Sequence, residues 1–394
     1  MSRTRLWLVV VLPTALFVAL VVTVTAGAIK KPFYNWDVIG YVATAFRFEG
    51  LQGDELLAAT RSELAAGIHD ERKNTVLLRG SSPYQATVVT DPRSLEQQLP
   101  FYSPRVLYVA GIVVLHKLGM SAVAASVWLS AVPLAALTMF LWWVIQRRAG
   151  AWLAGVFVGA AAYGLYWPML ATLSTPDALG TLFSIAGSVA LCRAHPRRSD
   201  LVVVAALFAL AVLTRHDALL HILMFAPAAV WATRGSASLR ELAGRVAAVV
   251  VPTIVVYLIA ASFTGWYGRQ TVLVYAFIGP MAYPADTPVP DVSEPYWATL
   301  FANLRGFATR PWFYRELWPI ALAALAWRWA SPGLRLLMLV GVLELVARFI
   351  LFPVTGVGWL RIYMTPIVLT MLFAGEAILA SRRAGSGNSV TPAG

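Results

Sequence analysis

Acidic side chains are scarce in this chain, and several lie where long apolar segments begin or end. Asp37 follows the first apolar segment and lies four residues before Tyr41, so both side chains share one face if this stretch is helical. Asp177 opens another apolar segment, directly after the residues LSTP. A carboxylate at such a boundary is placed to act as a general base or to stabilise a helix start.

Basic residues lie at similar boundaries. Arg215 belongs to the sequence TRHD, which interrupts two apolar segments, and Arg361 and Tyr363 open the last one. Glu344 and Arg348 lie within one apolar segment at a spacing that lets them pair. Ionisable groups inside a membrane are costly and usually face a cavity or a partner. We therefore expect all of these groups except Glu344 to gather near the outer mouth of the protein.

Each acidic residue also has a structural interpretation, which the sequence leaves open. Asp37 suits the start of an interfacial amphipathic helix, and Asp177 suits a helix start after a proline. Asp217 suits a local ion pair with Arg215, or a helix cap.

The other candidate residues also have structural interpretations that the sequence does not exclude. Glu344 and Arg348 suit a buried structural pair, and Arg361 suits a membrane anchor. A metal bound by His216 with a nearby aspartate is a weaker alternative, since the histidines show no metal-ligand spacing.

The composition indicates a membrane protein. The 394 residues are 59% hydrophobic and only 13% charged, with a mean hydropathy of +0.69. The apolar residues form continuous blocks rather than alternating, which favours an all-α polytopic protein over a β-barrel. The net charge of +12 is interpreted as membrane topology rather than nucleic-acid binding. Cys192 is the single cysteine, so an intrachain disulfide is excluded.

The sequence predicts ten membrane spans. They cover residues 6–28, 121–145, 151–168, 177–193, 200–214, 217–232, 243–263, 316–330, 334–352 and 359–380. The segment 104–118 is predicted to be re-entrant or to lie on the surface. If 104–118 does not cross the membrane, 14 arginines and only two acidic residues fall in the loops and termini of one side. Because positively charged loops are usually cytoplasmic, this predicts that both termini lie in the cytoplasm.

Two long outer loops follow from this topology, at 29–120 and about 264–315. In the first, NWDVIGYVATAFRFEG and GDELLAATRSELAAGI have the periodicity of amphipathic helices lying on the membrane face. The second is rich in proline and aromatic residues, and loops of its length are usually lids, binding segments or disordered. We divide the chain into modules at 1–235 and 236–381, followed by a disordered cytoplasmic tail at 382–394.

The order of these elements resembles the GT-C superfamily of membrane glycosyltransferases, which includes protein O-mannosyltransferases and the aminoarabinose transferase of lipid A. The likeness is carried by Asp37-Val-Ile-Gly-Tyr41 after the first span, by YSPRVLYVAGIVVLHKLG at 102–119, by LSTPDALGTLF, by AVLTRHDALL, and by Arg361-Ile-Tyr363-Met-Thr-Pro366. It covers about residues 1–235 and 359–366. The His-Pro-Pro element of many relatives is replaced by Ser103-Pro104-Arg105, and the motifs of ATPases, dehydrogenases, zinc proteases and serine hydrolases are absent from the sequence.

The resemblance implies an inverting enzyme that moves a sugar from a polyprenyl-phosphate donor to an acceptor glycan, lipid or protein. It implies that transfer takes place on the outer face of the plasma membrane and that nucleic acid is not a partner. It leaves undecided whether the reaction needs a divalent metal. It implies that Asp37 acts as the base or as a carboxylate that orients the acceptor. It implies that Asp177 is a second acid, which holds an acceptor, a metal or a loop. Candidate substrate-binding residues are Arg105, Arg215, Arg361, Tyr41, Tyr102 and Tyr363.

Two other classes of protein compete with this interpretation. A lipid or solute transporter, such as a flippase, would also need intramembrane charges such as Glu344 and Arg348. A non-catalytic assembly subunit is the third alternative. The long helical first loop and the lack of an internal repeat favour the enzyme over a transporter.

Overall fold

The computed structural model describes residues 7–164, 167–191, 198–232, 239–265, 267–306, 314–353 and 361–386. Within these ranges the regular structure is entirely helical, as the sequence predicts. A π-helical turn at Trp7–Val11 precedes the first α-helix, and short 3₁₀ turns occupy Leu99–Phe101 and Trp327–Trp329.

The helices of the first part of the chain are α1 (Leu12–Lys30), α2 (Asp37–Phe48), α3 (Gly53–Gly67), α4 (Glu71–Arg79), α5 (Pro83–Thr90), α6 (Pro92–Gln98), α7 (Val106–Lys117), α8 (Ala122–Ala149), α9 (Ala151–Gly164) and α10 (Trp167–Ala171). Those of the second part are α11 (Asp177–Leu191), α12 (Arg198–Thr214), α13 (Ala218–Leu223), α14 (Phe225–Ala232), α15 (Leu239–Thr264), α16 (Arg269–Phe277), α17 (Ser293–Gly306), α18 (Tyr314–Ala326), α19 (Pro332–Leu351) and α20 (Met364–Ser386).

Several helices have the composition of membrane spans. Among the described residues, four stretches are long and apolar enough to cross a bilayer: Trp7–Lys30, Ala122–Arg147, Ala243–Thr264 and Arg361–Ile378. Five apolar helices are shorter: Val106–Lys117, Ala151–Ala162, Asp177–Leu191, Ser199–Thr214 and Ala218–Ala228. These features are those of an all-α membrane protein, whereas the count of ten spans stays a prediction.

The molecule has two main hydrophobic cores, which α8 connects. Ala122, Val123 and Ala125, at the start of α8, belong to a core built from the helices of the first loop. Farther along α8, Leu134 and Leu141 belong to a larger core that the apolar helices of the bundle share. The helix α8 also packs against α1, α7, α9, α11 and α20. It is therefore the common support on which both regions are assembled.

The first loop is helical, but α2 does not lie on a surface as its periodicity predicts. Every residue from 38 to 46 is buried, because α2 packs against α3, α7 and α8. The packing is close at Gly40, where a Cβ atom would overlap the ring of Tyr102. The expectation of a membrane-surface helix is therefore wrong for α2, which is the central helix of the first-loop core.

The segment predicted to be re-entrant, 104–118, forms α7. Its 12 residues extend for about 18 Å, less than the roughly 30 Å of a hydrocarbon core. It packs against α2, α8 and α12. The last helix extends to Ser386, so the first residues of the tail predicted to be disordered are helical, and 387–394 lie outside the described residues.

The second long loop is attached to the first. Residues 281–286 contact α6 through polar groups: Ser94 Oγ donates to Ala282 O (2.7 Å), and Arg93 pairs with Asp286 at 2.9 Å. The Tyr283 hydroxyl donates to Asp91 at the start of α6. We call residues 278–292 the strap. It leads into α17, which contacts the end of α19.

Candidate functional site

The start of α2 fixes Asp37 beside the turn that precedes α11. Asn35 Nδ2 donates to Asp37 Oδ2 (2.7 Å), and Asn35 Oδ1 accepts from Ser174 N (3.0 Å). The backbone adds Phe33 N to Thr172 O at 3.0 Å. Tyr34, between these contacts, has a positive φ of 47°. One amide side chain thus links the segments that carry the two predicted acids.

The turn before Asp177 is held by hydroxyl groups of α8. Ser130 Oγ donates to Thr175 O (2.8 Å), and Ser126 Oγ donates to Ser174 Oγ (3.0 Å). All four residues are buried. Buried hydrogen bonds of this kind fix a loop firmly, since an unpaired polar group would be costly. Asp177 follows as the first residue of α11, as the sequence predicts.

Arg361 approaches Asp37 from the far end of the chain. Its Nη1 donates to Asp37 Oδ2 at 2.8 Å, and both side chains are about one quarter exposed. Asp37 Oδ2 therefore has two donors, whereas Oδ1 has none among the described residues. Arg361 likewise uses one nitrogen for this contact and no other within the described part of the chain. The Asp37–Arg361 pair thus keeps unused hydrogen-bonding capacity on both partners.

A second group of charges, which we call the charged chain, comprises Asp177, Arg215, Asp217, Arg348, Glu344 and His221. Arg215 joins the first members, because its Nη1 pairs with Asp177 while its Nε and Nη2 each donate to Asp217 at 2.8 Å. Gly180 makes room for this side chain, since a Cβ atom there would lie 3.3 Å from Arg215. The TRHD sequence thus forms the ion pair that its spacing suggests.

The charged chain continues into the bundle. Arg348 pairs with Asp217 and donates through Nε to Glu344 Oε1 at 2.7 Å. Glu344 Oε2 lies 2.6 Å from His221 Nδ1, and His221 Nε2 lies 2.8 Å from Ser188 Oγ. Glu344 and His221 are completely buried. Each of the two arginines of the charged chain contacts partners through all three guanidinium nitrogens, whereas Arg361 uses only one among the described residues.

A small cavity lies between Arg361 and the charged chain. It has a volume of about 10 Å³, near what one water molecule needs. Arg361, Arg215 and Arg348 all line it. Ser184 also lines it, and its buried Oγ has no hydrogen-bond partner within the described residues. The arginine of the Asp37–Arg361 pair and both arginines of the charged chain therefore meet at one narrow gap.

Arg105 lies on two aromatic rings of the first-loop core. Its guanidinium is 6.0 Å from the centre of the Tyr41 ring and 5.9 Å from that of Tyr102. These rings meet edge to face, and Tyr41 also meets Tyr108 at 4.8 Å. No described carboxylate pairs with Arg105. Cation–π contact takes the place of an ion pair here, and no described residue accepts a hydrogen bond from this guanidinium.

The local electrostatics favour neutral side chains next to these arginines. Burial raises the pKa of the Tyr102 hydroxyl well above its usual range, and burial also raises that of Tyr41. Burial, with the nearby Arg105 guanidinium, lowers the pKa of His216 to about 4. All three side chains are therefore uncharged near pH 7, and the tyrosines remain hydrogen-bond donors.

The structure thus brings most of the predicted site residues together. Arg361 and Arg215 border the gap and pair with Asp37 and Asp177, respectively, and Tyr41, Tyr102 and Arg105 form the adjoining aromatic cluster. Tyr363 is different, because its buried hydroxyl donates to Phe352 O at 3.1 Å and supports the end of α19.

Three residues near the gap were not selected from the sequence. Asn35 is part of the NWD sequence and is distinguishable only by its distance of two residues from Asp37. Ser184 and Ser188 lie inside an apolar segment, where a serine is common and gives no signal. Within the described residues, no group of three histidine, cysteine, aspartate or glutamate side chains has the arrangement of a metal site.

Comparison with known proteins adds no further assignment, since no family model, curated protein or solved structure matches the chain. The class that the fold defines is that of an all-helical membrane protein with paired charges at a narrow gap.

Proposed function

We propose that this protein is an inverting glycosyltransferase of the GT-C type. It transfers a sugar from a polyprenyl-phosphate carrier to an acceptor glycan, lipid or protein. The observation that carries the proposal is the Asp37–Arg361 pair, in which one carboxylate oxygen and two guanidinium nitrogens lack partners among the described residues. In this proposal the carboxylate of Asp37 is the base, and the guanidinium of Arg361 binds the phosphate.

In the proposed step, an acceptor hydroxyl attacks the anomeric carbon of the donor sugar. The bond between that carbon and the phosphate oxygen breaks, and the polyprenyl phosphate leaves with the bonding electrons. The hydroxyl proton passes to Asp37 Oδ1. Phosphate is already a good leaving group, so the step needs a base and charge stabilisation rather than a strong acid. A single displacement inverts the configuration of the anomeric carbon.

The arginines divide between two roles in this proposal. Arg105 and Arg361 bind the donor phosphate, since each has N–H donors without a partner among the described residues and arginine matches phosphate in a planar fork. Arg215 is fully engaged by Asp177 and Asp217 and instead holds one wall of the gap. Asp177 thereby becomes a positioning residue for Arg215. The gap must widen to admit a sugar, because its present volume suits one water molecule.

The wider architecture in this proposal follows the sequence. The ten spans place both termini in the cytoplasm of a plasma-membrane protein, with Asp37 and Arg361 at the outer face. The first loop, 29–120, then carries the acceptor side of the site, and the module at 236–381 contributes Arg361. The proposal neither requires nor excludes a divalent metal.

A transporter is the second candidate, favoured by the charged chain. Its completely buried members, Glu344 and His221, resemble the intramembrane groups of proton-coupled carriers. Full pairing of Arg215 and Arg348 argues for a structural network instead, because a carrier needs groups that exchange partners.

Binding of undecaprenyl phosphate to the purified protein tests the proposal. We expect native mass spectrometry to detect one bound lipid, and affinity to fall by about 10-fold or more in Arg361→Ala and in Arg105→Ala, since each loses charge-assisted hydrogen bonds. Arg93→Ala is the matched control, because Arg93 is an exposed arginine of the first loop that contacts the strap. Its affinity should stay unchanged.

Incubation with undecaprenyl-phosphate-linked sugars then separates the two candidates. Loss of the sugar to an acceptor, with inversion seen by NMR, supports the enzyme. Movement of the intact lipid across a proteoliposome membrane without sugar transfer contradicts it and supports a carrier.

A further inference from the structure

The helix α17 has one face fixed to the end of α19. Leu300, Asn303 and Gly306 are buried on this face. Asn303 Nδ2 donates to Pro353 O at 2.5 Å, and the Tyr296 hydroxyl donates to Ile350 O. These contacts hold α17 against the residues that follow α19, at a fixed rotation about its own axis.

The opposite face of α17 is apolar and exposed. Trp297, Phe301 and Leu304 occur at the spacing of one helical face and are 52%, 52% and 47% exposed. The rings of Trp297 and Phe301 stack at 5.9 Å. Helices on water-facing surfaces carry the reverse pattern, with the apolar stripe turned inward. The charged residues of α17, Glu294 and Arg305, lie only near its two ends.

The length of α17 limits how it can contact a membrane. Its 14 residues extend for about 21 Å, which is shorter than the roughly 30 Å of a hydrocarbon core. A helix this short, with one apolar face, lies in the plane of the membrane boundary rather than across it. Aromatic residues such as Trp297 are enriched at that depth.

The neighbouring surface is apolar as well. Val346, Ile350 and Leu351, in the last part of α19, are all exposed. The 20 residues of α19 extend for about 30 Å, the thickness of a bilayer core. Exposed apolar residues on a helix of this length match lipid chains, and the Tyr296 contact to Ile350 O places α17 beside them.

We infer that the exposed face of α17 is embedded among the acyl chains of the membrane leaflet in which α19 ends. The strap then crosses from the first loop to a membrane-anchored helix, rather than belonging to a loop surrounded by water. This inference is independent of the proposed transfer reaction.

Spin labelling tests the inference. A single nitroxide is attached at Leu304→Cys in a Cys192→Ser background, in nanodiscs of phosphatidylethanolamine and phosphatidylglycerol. Leu304 is exposed on the apolar face of α17, and Asp54→Cys, at an exposed charged residue of α3, is the reference. We expect collisions with oxygen to exceed collisions with a water-soluble nickel chelate at Leu304. The reverse is expected at Asp54. A label at Phe301→Cys should repeat the Leu304 result.

Two outcomes would overturn the inference. Nickel access at Leu304 equal to that at Asp54 means that the face is in water. Low access for both reagents means that protein covers it, such as a second copy of the chain. Unchanged melting temperatures of the labelled variants show that the fold is retained in each measurement.

Discussion

The two groups of charges that border the gap differ in how completely they are paired. In the charged chain, Arg215 and Arg348 use all three of their nitrogens, and both oxygens of Asp217 and of Glu344 accept hydrogen bonds. In the Asp37–Arg361 pair, a single ion-pair contact joins the partners. A satisfied network stabilises one arrangement, whereas an unsatisfied pair can bind a ligand. From this contrast we propose a structural role for the charged chain and ligand binding for the Asp37–Arg361 pair.

The largest effect is expected from breaking the charged chain. Arg348→Ala leaves Glu344 and Asp217 without their shared cation, and removal of one member of a buried pair costs about 3–5 kcal/mol. Thermal or denaturant unfolding in detergent measures the loss. Arg335→Ala, on the same helix, is the control, since Arg335 makes one bond to Trp327 O and should cost about 1 kcal/mol or less. Equal stabilities of the two variants would contradict a structural role for the charged chain.

A substitution at Gly40 tests the aromatic cluster that lies beside the Asp37–Arg361 pair. Gly40→Ala forces the Tyr102 ring to move, and such overpacking typically costs about 1–3 kcal/mol. Because Arg105 lies over this ring, affinity for undecaprenyl phosphate should fall too. Gly27→Ala in α1 is the matched control, as a Cβ there meets no atom within 4 Å. Wild-type stability and affinity in Gly40→Ala would show that the aromatic cluster does not position Arg105.

The variant Asp177→Asn tests whether Asp177 belongs to the charged chain or to the reacting groups. Arg215 keeps its two bonds to Asp217 after this change but loses a charged partner, so we expect a loss of about 1–2 kcal/mol. Unfolding in detergent measures it, and transfer activity should fall less than in Asp37→Asn. A complete loss of transfer with unchanged stability would instead place Asp177 among the reacting groups.

The smallest effect is expected at the strap, which touches neither group. The Tyr283 hydroxyl lowers the pKa of Asp91, so the ionised carboxylate stabilises this contact at pH 5 and above. Since the folded pKa is depressed, that contribution is lost as the pH falls below the usual Asp value of 3.8. Hydrogen exchange in residues 281–287 should then rise relative to α8. In Asp91→Asn the same segment should lose this pH dependence, and a dependence that persists would rule out Asp91 as its source.

Local signals in the sequence predict much of this arrangement. The start of α11 at Asp177, the Arg215–Asp217 pair and the Glu344–Arg348 pair follow from neighbouring residues or from helical spacing, and the structure confirms them. The all-helical fold follows from continuous apolar segments.

Contacts between distant segments cannot be read in the same way. The Arg348–Asp217 contact, the position of His221 beside Glu344 and the engagement of Asn35 with Ser174 depend on how helices pack. The burial of α2 was mispredicted for the same reason, since its periodicity does not reveal that three other helices cover it. Tyr363 has the spacing of a site residue, but packing turns its hydroxyl to Phe352 O.

The most direct test of the contrast is the rate of sugar transfer by Asp37→Asn in nanodiscs, with the polyprenyl-phosphate sugar that the unchanged protein uses best. Loss of a general base typically lowers a rate by about 10²–10⁴. Because the pair is partly exposed, its contribution to stability is about 1 kcal/mol or less, so the melting temperature should change by no more than about 4 °C. Wild-type turnover, or unfolding as severe as in Arg348→Ala, would contradict the account.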